Sequence, residues 1–321
     1  MEDEQNEPML NDLAWDLVQQ AVFAADEFRI EIPEVTSEAT VLDFGIEAEG
    51  SLGAGIALAE ITLAGQGEVS LTPGHLGDVA WPHVFVTTDS PTEACLLSQY
   101  AGWQLTGDDF FGMGSGPMRA AAGSEDLFKA LDYREDATHV VGVIESGDFP
   151  TDTVVEIIAE KCGVDPGNIA LLVAPTASLA GSFQIVSRSV ETAMHKLLEL
   201  GFDVTRVESG MGWAPLAPVA ADDLQGIGRT NDAILYGGRV TLIVNGDDES
   251  IEEIGPRIPS SGSPASGEPF LKIFEAAGRD FYKIDPMLFS PAEVILHNVE
   301  TGRVHRFGRI EPDVVLTSFG L

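Results

Sequence analysis

Arg188 and Glu191 are the residues whose types and spacing point most directly to chemistry. Three positions apart, they share one face if the chain is helical there, as the run from Ser182 to Leu200 predicts. A glutamate held among apolar neighbours has its pKa raised and exchanges protons near neutrality, while an adjacent arginine limits the shift and orients the carboxylate. On a solvated helix the same spacing is an ordinary surface ion pair worth ~0.3–0.5 kcal/mol. The preceding loop separates the two readings. It is poor in charge, rich in small residues, and carries Thr176, Ser178 and Ser182. An apolar run, Asn168 to Val173, empties into it. Strand, hydroxyl-rich loop and helix start form an arrangement in which free amides face a ligand.

A second candidate is the segment holding Gly112, Gly114 and Gly116 around Ser115, with Arg119 just inside the next predicted helix. Bare amides and a guanidinium there suit an anion or a carboxylated ligand. No Gly-Lys-Ser/Thr ends the segment, so it is not a P-loop, and a tight structural turn explains it equally well. The six histidines are scattered, with neither HExxH nor a GxSxG elbow. His195, the one nearest the first candidate, reads as a packing or surface residue. Gly50 to Gly55 lacks the GxGxxG fingerprint, which leaves a dinucleotide site unsupported. Cys95 and Cys162 stand in no CxxC or Cys/His cluster, so neither a disulfide framework nor structural zinc is expected.

The elements that must position these residues follow from patterning. Asn11 or Asp12 is placed to cap a helix with apolar positions Leu13, Leu17, Val18, Ala21 and Ala25. Strands are predicted at Val41 to Gly45, Glu68 to Leu71 and Val84 to Thr88, then a helix from Pro91 to Tyr100. From His139 the pattern reads βαβ: strand to Ile144, helix Thr151 to Lys161, strand Asn168 to Ala174, helix Ser182 to Leu200, strand Val204 to Glu208. A Gly/Pro-rich segment follows, then strands at Arg239 to Val244 and Ala292 to His297. The fold class is α/β, with domains expected at 1–137 and 138–321, a boundary that the chain is free to cross more than once.

Composition bounds the setting. Among 321 residues, 52 are acidic and 17 basic, a net charge of −35, yet 44% are hydrophobic. This is a folded chain with an acid-coated surface, not a disordered one. Lysine is confined to Lys129, Lys161, Lys196, Lys272 and Lys283. Such a surface resembles that of proteins from salt-loving archaea, where molar salt screens self-repulsion. Double-stranded nucleic acid is a poor partner for it. No apolar run approaches ~18 residues, and the first residues are acidic where a secretory signal is basic, so a soluble cytoplasmic protein with no membrane partner is expected.

Several long stretches carry a family resemblance: Asn11-Asp-Leu-Ala-Trp-Asp, Ala94-Cys-Leu-Leu-Ser-Gln-Tyr-Ala-Gly-Trp-Gln, Met113-Gly-Ser-Gly-Pro-Met-Arg-Ala, Ala174-Pro-Thr-Ala-Ser-Leu-Ala-Gly-Ser-Phe-Gln-Ile, Arg188-Ser-Val-Glu-Thr-Ala and Phe281-Tyr-Lys-Ile-Asp-Pro-Met-Leu-Phe-Ser-Pro-Ala. Nearly end to end, the chain resembles methenyltetrahydromethanopterin cyclohydrolase, the archaeal one-carbon enzyme. The resemblance implies a two-domain α/β subunit with mixed sheets and a pocket between the domains, assembled as a homotrimer without metal or redox cofactor. It also implies that Arg188 and Glu191 are the catalytic pair. The substrate would be the small pterin 5,10-methenyl-tetrahydromethanopterin, lined by Thr176, Ser178, Ser182 and Gln184, with Ser115 and Arg119 on an anionic part of the carrier. One departure stands out: Tyr100 occupies a substrate-facing position where the family pattern has lysine. Either a tetrahydrofolate carrier or a salt-adapted replacement of lysine accounts for it. A pterin-binding protein without turnover is the third reading.

Overall fold

The computed structural model describes residues 9–321; the acidic start on which the signal argument rests lies outside them. Helices α1 (Leu10–Phe23) and α2 (Ala25–Phe28) precede β1 (Thr40–Asp43), α3 (Leu52–Thr62) and the hairpin of β2 (Glu68–Leu76) and β3 (Val79–Thr88). A π-helix, Thr92–Gln99, leads to β4 (Trp103–Gly107), β5 (Phe110–Ser115), α4 (Met118–Ala122) and α5 (Asp126–Ala130). Next come β6 (Val140–Glu145), α6 (Asp152–Cys162), β7 (Ile169–Ala174), α7 (Leu179–Val186), α8 (Ser189–Glu199) and β8 (Val207–Pro215). The chain ends with α9 (Asp223–Leu235), β9 (Arg239–Val244), α10 (Asp248–Ile254), α11 (Phe270–Ala276), β10 (Glu293–Asn298), β11 (Val304–Gly308) and α12 (Pro312–Phe319).

The strands form two mixed sheets, ordered β1-β7-β6-β5-β4 and β11-β10-β9-β8-β3-β2. In the first, β1, β7 and β6 run parallel, and their sequences are near-continuous apolar runs because both faces are covered. Each sheet takes strands from both sides of residues 137/138: β6 and β7 join β1, β4 and β5, while β2 and β3 join β8. The βαβ pattern therefore holds for β6-α6-β7 and ends there. Strand β8 leaves for the second sheet, where it pairs antiparallel with β3 and β9. Its glycines and prolines, which read as a loop, let it pack closely: a Cβ on Gly212 would stand 2.6 Å from Ser189 Oγ.

Helices α7 and α8 join the two halves. Phe183, Val186, Val190, Ala193, Met194 and Leu197 are buried in one core with Val84, Ala214, Val240 and Leu242 of the second sheet. Lys196, nearly fully buried on α8, donates from Nζ to Met287 O and so ties that helix to the 281–292 segment. Its ammonium pKa is lowered to about 8, chiefly by burial.

Two local expectations are corrected. Asn11 does not cap α1; Met9 is the N-cap, and its side chain makes no capping bond. The first amides go instead to Glu135, with Leu10 N at 2.5 Å and Asn11 N at 3.2 Å. The 110–116 segment is not a loop with bare amides. Gly112 and Gly114 lie within β5, paired with β4 and β6, and glycine is needed because a Cβ on Gly112 would lie 2.6 Å from Ile144 Cγ2.

Candidate active site

The loop after β7 is shaped by its own hydroxyls. Ser178 caps α7 by accepting Gly181 N at 2.9 Å and donates to Pro175 O at 2.8 Å; Ser182 donates to Thr176 O at 2.8 Å. Gly181 is required by close approach, since a Cβ there would stand 1.9 Å from Pro175 O. Ser178 and Ser182 are thus spent on the backbone. The Thr176 hydroxyl makes no hydrogen bond among the described residues and is free for a ligand.

Arg188 does not pair with Glu191 within 4 Å, although it is the largest charge acting on that carboxyl. It is the N-cap of α8 (φ −80°, ψ 15°), at a break after α7, with Glu191 at the third helical position, and its donors go elsewhere. Its guanidinium turns toward the first sheet. Nε and Nη2 donate to Gln184 Oε1 at 3.2 and 2.8 Å, Nη2 also to Ser115 Oγ at 3.0 Å, and Nη1 to Gln99 O. Glu145 Oε1 lies 3.4 Å from Nη2 and is its one carboxylate partner within 4 Å among the described residues. Gln184 in turn donates to Glu145 at 3.1 Å. Ser115 and Gln184, both buried, therefore hold Arg188; they do not line open space.

Glu191, in the first turn of α8, is 6% exposed. Burial pushes its carboxyl up to about 7, against the charges of Arg188 and Arg119 and with a smaller upward push from Glu145. Thr192 is the one side-chain hydroxyl among the described residues that eases the Glu191 carboxyl downward, and it is a weak donor there because its hydrogen goes to Arg188 O at 2.6 Å. A carboxyl with its pKa raised toward neutrality can take a proton from water and return it.

The π-helix supplies the opposite wall. Its wider turn closes with Tyr100 N donating to Cys95 O at 2.9 Å and leaves Gln99 O at Arg188 and Tyr100 beside Glu191. The Tyr100 ring stacks on His195 (4.4 Å, 13°), and the Arg119 guanidinium sits 5.0 Å from its centroid. Burial and the Glu191 charge push the Tyr100 phenol up to about 12, so it stays a neutral donor; burial lowers the His195 pKa. Arg119 is completely buried, with its donors on both oxygens of Glu125 (2.9 and 2.7 Å) and on Leu96 O and Ser98 O (3.2 Å each). In this arrangement it braces the Tyr100 wall and has no free fork for an anionic tail. Among the described residues, no group of three or more His, Cys, Asp or Glu is placed to hold a metal ion.

The family described as Cyclohydrolase (MCH) matches residues 9–319. The chain belongs to that family. Methenyltetrahydromethanopterin cyclohydrolase of Rhodopirellula baltica is 48% identical to it over 295 residues, covering 90% of this chain and 89% of the relative. The enzyme of that name from Methylobacterium organophilum is 44% identical, covering 98% of each. The one from Methanosarcina barkeri is 38% identical, covering 97% of this chain and 98% of the relative. The family therefore extends beyond archaea into bacteria.

Within this candidate site, sequence reasoning missed Glu145, Gln99 and Glu125. Glu145 had a usable signal: it is the lone acid ending an apolar run at the carboxyl edge of a parallel strand, where open α/β sheets bind ligands. Gln99 acts through its carbonyl, and Glu125 lay in a segment that reads as a connector.

Proposed function

We propose that this chain is a cyclohydrolase that reversibly hydrolyses 5,10-methenyl-tetrahydromethanopterin to the 5-formyl compound. The observation that carries the reading is Glu191: buried, without an ion-pair partner within 4 Å among the described residues, with its carboxyl near 7, in a chain that matches the cyclohydrolase family over residues 9–319. The substrate is a cation whose bridging carbon lies between two nitrogens and is already electrophilic. Glu191 accepts a proton as water attacks that carbon, giving a neutral tetrahedral adduct. The proton returns to the departing nitrogen as the C–N bond breaks, and the adduct hydroxyl loses its own proton as the formyl C=O forms. One water is consumed and one proton is released to solvent. Arg188 contributes a positive field that limits the rise of the Glu191 pKa, and Thr176 and Tyr100 offer the free hydroxyls that line the pterin.

Tyr100 keeps a second carrier open. On methenyl-tetrahydrofolate the same steps would leave the formyl group on the other nitrogen. The deciding experiment assays both carriers in parallel in molar potassium chloride, following loss of the methenyl absorbance. Faster turnover of the methanopterin compound is expected. Preference for the folate would transfer the assignment, and binding without turnover of either would make the protein a pterin carrier.

The enzyme acts as a soluble cytoplasmic homotrimer, with the substrate between the two sheets, where Glu145 from one meets α8 packed on the other. No helix among the described residues is long and apolar enough to cross a membrane. With a net charge of −35, lowering salt should dissociate or unfold the assembly. Unchanged sedimentation in dilute buffer would contradict this.

A further inference from the structure

Arg188 is close enough in sequence to pair with Glu191 and does not. Something holds it away, and the structure shows what. Glu145 ends β6 opposite Ala174 in the parallel ladder, at the edge from which the 175–178 loop departs. Its side chain is 20% exposed; Oε1 accepts from Gln184 Nε2 and faces Arg188 Nη2, while Oε2 has no hydrogen-bond partner among the described residues. Gln184 completes a closed triangle, its carbonyl oxygen receiving two Arg188 donors and its amide giving to Glu145. A guanidinium in a buried site has more donors than one acceptor can satisfy. Without Glu145, a pull of one charge on Arg188 disappears, and Glu191, three residues along the chain, is left as the carboxylate that Arg188 already acts on.

We propose that Glu145 is a positioning residue of the cyclohydrolase site: through Gln184 and directly it anchors Arg188 on the first sheet, keeping the guanidinium off Glu191 and leaving that carboxyl free to exchange protons. The inference rests on the cyclohydrolase reading for its kinetic consequence but not for its structural one. The groups facing Glu191 are Arg188 at the α8 N-cap, Arg119 of α4, Glu145 of β6, Cys95 of the π-helix, and Tyr100 just after it. Of these, only Glu145 is negative; Arg119 keeps its own counterion, Glu125, on both carboxylate oxygens, so loss of Glu145 releases Arg188 alone. Removing Glu145 changes the balance twice in the same direction, by deleting a negative neighbour and by releasing a positive one.

The test is Glu145→Gln, with Glu145→Asp as the charge-conserving control. In ligand-free protein, the Glu191 carboxyl is titrated by carbon-13 NMR, assigned by its absence in Glu191→Gln. Its midpoint should fall by about 1–2 pH units in Glu145→Gln, the range for a carboxylate gaining an arginine partner. Glu145→Asp should restore most of the shift. In turnover, the acid limb of the kcat/KM profile should move down by the same amount and its plateau should fall, because a weaker base accepts the proton less readily. A Glu191 midpoint unmoved in Glu145→Gln, or moved equally in Glu145→Asp, overturns the proposal even if the protein is active. Wild-type protein inactive on both carriers, with the midpoint still shifted by Glu145→Gln, overturns the functional reading and leaves the anchoring of Arg188 standing.

Discussion

Glu135 and Glu191 are both buried glutamates, at 5% and 6% exposure, and the chain treats them in opposite ways. Glu135 is saturated. It receives Leu10 N, Asn11 N, Asn11 Nδ2 at 2.6 Å and the Tyr133 hydroxyl at 2.9 Å, and so caps α1 and fastens it to the first sheet, where Asn11 Oδ1 also accepts Val141 N. Glu191 receives no such set of donors, although an arginine lies three residues away. Burial of a carboxyl is costly in both places, and a full set of hydrogen bonds offsets the cost in the first, whereas at Glu191 desolvation outweighs the Thr192 hydroxyl and the two arginine charges. A carboxyl left unquenched in a folded chain is a stability defect unless proton exchange there is useful. The contrast distinguishes scaffold from chemistry more sharply than residue type does, since both are glutamates with similar exposure.

The largest effect should come from Glu191→Gln. The amide keeps the shape and removes the proton acceptor, so kcat should fall by about 10²–10⁴, the usual worth of a positioned acid–base group, while circular dichroism stays unchanged. Turnover near wild type, read as loss of methenyl absorbance in high salt, would remove Glu191 from proton transfer and dissolve the contrast. The mirror experiment is Glu135→Gln, which turns one acceptor oxygen into a donor facing other donors. Stability should drop by about 2–4 kcal/mol by chemical denaturation, with kcat intact at temperatures where the protein remains folded. A large loss of kcat with little loss of stability would mean that Glu135 also serves the site.

Proton linkage offers a third break point, about 3 kcal/mol in size. Glu191 titrates near 4.5 when unfolded and about 7 when folded. The folded form therefore holds its proton more tightly, and the wild type loses stability relative to Glu191→Gln as pH rises from about 4.5 to about 7. The difference should level off by pH 8 near 3 kcal/mol. Parallel stability curves for the two proteins across that range would show that the site is wetter than its burial implies.

The same pair explains what was legible in sequence. Apolar runs such as Ile169–Ala174 and Val140–Glu145 announced the parallel strands, and the class α/β followed from them. The loop hydroxyls and the Arg188/Glu191 pair were visible because their neighbours are local. What was not visible depends on long-range pairing. The cap of α1 arrives from Glu135, 125 positions beyond Leu10, so nearby Asn11 and Asp12 misled. Strand β8 was expected to stop at Glu208, and its continuation to Pro215 read as a Gly/Pro-rich segment because its glycines are there for the second sheet. The break at Ser187–Arg188 cannot be told from a continuous helix by periodicity, and the Glu145 and Gln99 contacts that hold the Arg188 side chain come from distant parts of the chain. Ser115 and Arg119, expected on an anionic part of the carrier, are engaged within the chain: Ser115 Oγ accepts from Arg188 and donates to Val143 O, and Arg119 donates to Glu125.

The smallest effect expected is at Tyr100, and it bears on the open side of the site. Its ring does structural work through the His195 stack and the Arg119 cation, worth about 0.5–1.5 kcal/mol each and kept in Tyr100→Phe. What Phe removes is the hydroxyl, a neutral donor because its pKa is about 12. If that hydroxyl touches the carrier and not the reacting carbon, KM should rise a few-fold with kcat unchanged, since a neutral hydrogen bond is worth about 1 kcal/mol. The loss should be larger on the preferred carrier than on the other, which makes the ratio of the two KM changes the informative quantity. A fall in kcat with KM constant would instead place the Tyr100 hydroxyl beside Glu191 in the proton transfer itself, and would make the reactive wall of the site wider than one unquenched carboxyl.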